Sequence, residues 1–280
     1  MIAQLSSAVV RAILVMIVIS TPSLLLPAVS PDSTQVVMLV ALFAAGFTFS
    51  EYASTYPGLI EFRDAPPFNR LRFGSLLLTV LILSIIQRGT VYPTAMSELF
   101  TSVGTVVGNV LDFPFSPVRL LLLSLPENAT PVEILTVQRT AGLAYLVSLI
   151  ALCFFALVLW VNGWPRQRHA FNVWTNLPTF DPTGGGDVVS RLNRDANFNV
   201  ALGVLLPFLI PAVLQMASGL IDPIDASKPQ TLIWSVAAWA FLPASLLMRG
   251  IATARVAHMI ADKRRRSQHR EDGDELHAFG

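Results

Sequence analysis

The residues best suited to chemistry are arginines. Arg166, Arg168, Arg191 and Arg194 are gathered in one polar stretch, 164–199, between two strongly apolar runs. A guanidinium offers a planar fork of donors that matches phosphate oxygens, and basic residues beside apolar sequence meet lipid head groups. Lys263, Arg264, Arg265 and Arg266 form a second basic run, followed by an acidic one, and carry the same expectation. Within the polar stretch, Thr183-Gly184-Gly185-Gly186-Asp187 precedes a predicted short helix over 188–196. A glycine loop before a helix N-terminus can cradle phosphate. Asp187, however, stands where an N-cap belongs, would take up the free amides and would repel an anion. A turn with a cap is the expectation.

A different chemistry is offered by Pro207 and Pro211, one turn apart in an apolar run, with Gln215 and Ser218 beyond them. Prolines at that spacing free backbone carbonyls, and carbonyls at a broken membrane helix can hold a cation or polar solute. The competing reading is a kinked helix packed on its neighbours. Catalysis finds little support. His169, His258, His269 and His277 have no metal-ligand spacing, no nucleotide-binding or nucleophile-elbow motif is present, and the one cysteine, Cys153, sits in an apolar run. No catalytic residue, cofactor site or metal site is assigned.

Positioning these residues is the work of membrane-length helices. The chain is 53% hydrophobic and only 13% charged, with mean hydropathy +0.60 over 280 residues. A soluble domain carries about 25% charged residues, so the shortfall places apolar runs of this length in lipid. Net charge +1 excludes a dominant basic face and with it nucleic-acid binding. The fold class is all-α, a polytopic integral membrane protein of about six transmembrane helices. The spans fall at about 12–29, 36–50, 71–88, 140–163, 200–221 and 231–248, in one transmembrane domain over 1–248, with a tail over 249–280. The first run could instead be a cleaved signal peptide, but Pro31 is poorly placed after Ala28 and Ser30. No Asp, Glu, Lys, Arg or His falls in the apolar body of any predicted span, which lowers the odds of a coupled carrier or pump.

Between spans three and four, 97–125 is read as an outer amphipathic segment. Leu99, Val103, Val106 and Val110 recur at helical spacing, so the valines are expected on the buried face. The stretch 116–125 is interfacial or re-entrant. Gly104 and Gly108, like Ala41 and Ala45 in span two, are four apart and suit close helix packing. Thr130-Pro131-Val132-Glu133 is a capping box that should open a helix running to Trp164.

Charge sets the orientation. With 164–199 in the cytoplasm, only Arg88, Arg119, Arg139 and Lys228 of the 19 basic residues fall outside, so both termini are cytoplasmic. Sparse lysine and the lack of a disulfide suit a bacterial inner membrane. Arg63-Asp64-Ala65…Phe68-Asn69 and Arg194-Asp195-Ala196…Phe198-Asn199 echo one another and suggest an internal repeat. The leading expectation is a non-enzymatic accessory or assembly protein that meets other membrane subunits in the bilayer. A small-solute transporter or channel subunit built at the fifth helix, or a lipid-handling enzyme at the cytoplasmic surface, are the alternatives.

Overall fold

A computed structural model describes residues 2–27, 29–165, 172–181, 183, 185–216 and 228–278. Among these the protein is all-helical. Nine helices follow in chain order: α1 Ile2–Leu25, α2 Pro31–Ala53, α3 Phe68–Gly89, α4 Ala95–Leu111, α5 Pro117–Leu123, α6 Pro131–Val161, α7 Val173–Asn176, α8 Val188–Met216 and α9 Pro229–Ala278. Six of them, α1, α2, α3, α6, α8 and α9, contain stretches long and apolar enough to cross a membrane.

The helices start where their caps allow, which is earlier than the apolar runs suggest. Ser30 caps α2 by accepting from the Ser33 amide at 3.2 Å, with Pro31 in the first turn. Pro31 to Gln35, ahead of the predicted second span, are therefore helix. Thr130 and Glu133 form the expected reciprocal box at the start of α6. Thr94 and Ser97 form another, at α4. α1 begins at Ile2 and places Arg11 inside a helix that was expected to start at residue 12. Pro22 lies within it, and the helix ends at Leu25, before Pro27. The short helix over 188–196 and the described part of the fifth span, 200–216, are one helix, α8; 217–221 lie outside the described residues. The tail is no irregular appendage either. α9 continues through it, because Ala252 to Lys263 is rich in strong helix formers.

The outer segment inverts its predicted face. α4 packs on α6 through glycine: a Cβ on Gly104 would lie 3.0 Å from the Arg139 carbonyl oxygen, and one on Gly108 would lie 2.7 Å from that of Gln138. Gly104, Gly108 and Ser97 are buried, while Val103, Val106 and Val110 are exposed. In a bilayer the apolar side of a helix has lipid to face, so van der Waals fit rather than hydrophobicity selects the packed side. α5 docks Val118 and Leu121 into the core beside Val137 and Ala141 of α6. Ala41 and Ala45 are buried, and α2 approaches the backbone of α1 and no other described helix.

Hydrogen bonds and ring contacts sort the ends of the bundle. The Phe62 amide donates to the Asn176 carbonyl at 2.6 Å, Phe62 packs on Trp164, and Gln4 donates to the Ala53 carbonyl. The start of α1, the end of α2, the 54–67 connection, Trp164 and Asn176 thus share one end. At the other end Gln230 donates to Ser23, and Gln138 to Asp112.

The two R-D-A/F-N stretches do not share a backbone. The first is a turn that leads into α3 at Phe68, whereas the second lies wholly within α8.

Candidate functional site

The 54–67 connection is folded by charges acting on backbone. The Glu51 carboxylate accepts from the amides of Gly58, Leu59 and Ile60 at 2.9–3.2 Å. Buried Arg63 donates to the carbonyls of Glu51 and Ser54 at 3.0 and 2.6 Å. Phe62 sits between them at φ 51, a left-handed conformation costly for a bulky residue. Its ring contacts with Phe68 and Trp164 hold it there, at centroid distances of 4.5 and 5.9 Å. This pinned turn presents Glu61 to α9.

There Arg249 takes Glu61 with both arms of its fork, Nε to Oε2 at 2.6 Å and Nη2 to Oε1 at 2.9 Å. Its Nη1 reaches Asp195 of α8 at 3.1 Å, and the Thr179 hydroxyl donates to Glu61 at 2.8 Å. Gly250 makes this geometry possible. A Cβ there would lie 2.8 Å from the Ala196 carbonyl oxygen, so α8 and α9 touch backbone to backbone and bring Arg249 beside Asp195. Bidentate, partly buried pairs of this kind are the strong class of ion pair.

Beside this network opens a cavity of about 590 Å³. Among the described residues five arginines line it, Arg11, Arg63, Arg70, Arg72 and Arg249, and Glu61 is the one acidic side chain in the wall. Glu61 is already held by Arg249, and Arg63 has Asp64 at 3.4 Å. Arg11, Arg70 and Arg72 have no carboxylate within ion-pair distance among the described residues. Arg11 lies over the Tyr52 ring at 4.3 Å and donates to Ser7. Arg72 lies over Phe68 at 4.9 Å and near Phe241 at 6.0 Å, and its Nε is sealed from solvent with no hydrogen-bond partner. The aromatic faces offset part of the charge; they accept none of the donors that face the cavity.

The arginines singled out in the sequence are arranged differently. Arg191 and Arg194 line a neighbouring cavity of about 390 Å³ that shares Arg249, with Arg191 over the Phe180 ring at 4.9 Å. Lys263, Arg264, Arg265 and Arg266 are exposed along α9, and Arg264 pairs with Asp187. Asp187 accepts from the Ser190 amide at 2.9 Å, as a cap should. The Arg264 contact, with that amide, holds its carboxyl below the usual aspartate range. Arg166, Arg168, Gly184 and Ser218 lie outside the described residues.

The proline pair is used within the chain. Pro211 has no amide to give the Pro207 carbonyl, and the indole Nε1 of Trp239 donates to that oxygen instead, at 3.1 Å. α8 runs through both buried prolines unbroken, and Gln215 is exposed. Ala41, Ala45, Gly104 and Gly108 are likewise spent on internal packing.

Sequence reasoning missed Arg72 and the Glu61–Arg249 pair. It drew α3 from residue 71 and counted Arg72 as flank, although Phe68 and Arg72 are four apart, the spacing that stacks them on one helix face. Glu61 and Arg249 are 188 residues apart, a pairing no local pattern carries. The chain matches no family model, and no curated protein or solved structure is similar to it.

Proposed function

We propose that this is a bacterial inner-membrane protein with both termini in the cytoplasm, whose function is to bind an oxyanion of the phosphate class in its arginine cavity. The observation that carries the reading is Arg72, a partly buried guanidinium with a sealed, unpartnered Nε, beside two further arginines that have no carboxylate. A guanidinium taken out of water without a counter-charge is costly, and an oxyanion bound against the part of Arg72 that lines the cavity offsets that cost. Binding rather than catalysis suits the wall, whose described residues include no histidine, cysteine or serine and whose one described carboxylate is engaged. The orientation follows from the basic residues: the end that gathers Arg11, Arg63, Arg70 and Arg72 is the one the charge rule puts inside. An accessory role toward other membrane subunits is compatible with such a site, though the small-residue faces that suggested it are occupied internally.

The test is ligand-dependent stability of the purified full chain in neutral detergent. Inorganic phosphate should raise the unfolding temperature of the wild type, following mass action, and chloride at equal ionic strength should not. Arg72→Ala should abolish the phosphate response, and Arg264→Ala should retain it. Equal phosphate responses in wild type and Arg72→Ala refute the reading.

A further inference from the structure

The ligand's source follows from how the cavity meets the bilayer, an inference that rests on the anion site just described. We infer that the occupant is a membrane lipid with an anionic phosphate head group, admitted sideways between α2 and α3.

Three observations carry this. The first is depth. Arg11 is 14 residues from the far end of α1 and Arg72 is 17 from that of α3, roughly 21 and 26 Å of helix. Arg249 is 20 residues into α9, roughly 30 Å along, about the thickness of the hydrocarbon core. The cavity therefore begins at head-group level and dips about a turn into the acyl region, the depth that a lipid's phosphate and the start of its chains occupy.

The second is the wall. Farther along their helices toward the opposite end of the bundle than Arg11, Arg72 and Arg249, it is Leu14, Val15, Phe73 and Phe241, with Phe47 of α2; the arginines stand between these and the 54–67 turn. A site for a free inorganic anion has no use for an apolar floor, whereas a lipid presents phosphate and chain in that order.

The third is the opening. α2 packs on α1 alone among the described helices, yet Phe47 and Thr48 of α2 and Phe73 of α3 line the same cavity. The cavity is thus the gap between α2 and α3. Phe47 is exposed at its edge, and Gly46 beside it has no neighbour within 4 Å. No described helix packs on α2 from that side.

Charge selects among lipids. A zwitterionic head group brings an ammonium that needs an acceptor, and Glu61 is already shared by Arg249 and Thr179. Three cations without a carboxylate favour a net negative head group, and the guanidinium fork favours phosphate oxygens over a point charge.

The experiment uses the full chain in vesicles of phosphatidylcholine doped with a phosphatidic acid that carries a photoreactive group in its acyl chain. Irradiation followed by peptide mass spectrometry should place the label around Phe47, Thr48 and Phe73. A matching photoreactive phosphatidylcholine should label there far less. Arg72→Ala should lower the labelling by roughly tenfold, the loss expected of one charge-assisted contact, with Arg72→Lys intermediate. Thr48→Trp, which fills the gap, should lose the lipid label while phosphate still raises its unfolding temperature. The wild-type labelling pattern stands alone should that variant misfold. Label spread over the whole lipid-facing surface, or equal label from the two lipids, overturns the inference. If phosphate stabilises the protein and the lipid does not label the gap, the anion site stands and its lipid occupant falls. If neither occurs, both fall.

Discussion

Gly142→Ala should destabilise the bundle although alanine is the better helix former. A Cβ on Gly142 would stand 2.6 Å from Cα and 2.7 Å from N of Gly108, both backbone atoms of α4. Neither can swing aside as a side chain would. Ordinary contact begins near 3.4 Å, so α4 and α6 must part by roughly 0.8 Å along the glycine seam. A gap of that size forfeits about a quarter to a half of each dispersion contact across it, and overpacking of a tight site costs about 1–3 kcal/mol. The upper part of that range applies, because Gly104 and Gly108 lose their close approach to the Arg139 and Gln138 carbonyls together. Helix propensity returns up to about 1 kcal/mol, which leaves a net loss of about 2 kcal/mol. Gly74→Ala is the control: nothing lies within 4 Å of its Cβ, so only propensity acts and the protein should be unchanged or slightly more stable. The assay is reversible unfolding in mixed micelles with increasing SDS, followed by circular dichroism. Shifts of the same sign in the two variants would refute the backbone-contact argument.

Trp239→Phe removes the donor to the Pro207 carbonyl and should cost about 1–3 kcal/mol in the same assay, whereas Gln215→Leu, at an exposed site, should stay within about 0.5 kcal/mol; equal losses would mean the proline pair has another role. Single cysteines at Ser190 and Ser267, in a Cys153→Ser background, should be shielded from an impermeant thiol reagent in intact cells, and one at exposed Ser102 should label. Labelling at Ser190 without lysis overturns the orientation. Because Arg264 and the Ser190 amide depress the Asp187 carboxyl, its contribution to docking the α9 extension on α8 is fully present above the ordinary Asp value of about 3.9 and is lost as pH falls through the lower folded-state value. Amide exchange at 188–190, corrected for intrinsic rate, should therefore be flat from neutral pH down to the ordinary Asp range and rise only below it. Asp187→Asn should remove that rise.

How far the fold was legible depended on which interactions are local. The capping box at Thr130 and Glu133 is a four-residue pattern and forms as read. Apolar run length identified all six long helices, because it reports transfer to lipid directly. It misplaced their ends, because hydropathy measures where lipid is and not where the backbone hydrogen bonds stop. Arg11, Arg72 and Arg249 therefore passed for flanks while lying inside helices. Helical periodicity in α4 was real, but in a membrane an apolar stripe has two possible neighbours, and Val106 is exposed while Gly108 packs against α6. The residues that build the cavity come from α1, α2, α3, α9 and the 54–67 turn, so their meeting is a property of the packed bundle alone.

Close backbone contact serves both ends of the bundle. At one, α4 closes over α6 at Gly104, Gly108 and Gly142. At the other, Gly250 spends the same kind of contact on bringing Arg249 to Asp195 and Glu61. That network neutralises Arg249 and removes from the cavity the one carboxylate that could have answered Arg72. On the proposed function the missing negative charge arrives from outside the chain. Protein stripped of anionic lipid then retains an uncompensated guanidinium near the hydrocarbon boundary, and each bound phosphate returns the difference as stability by mass action. The same carboxylate that orders the 54–67 turn against α9 thereby sets the sign of the ligand.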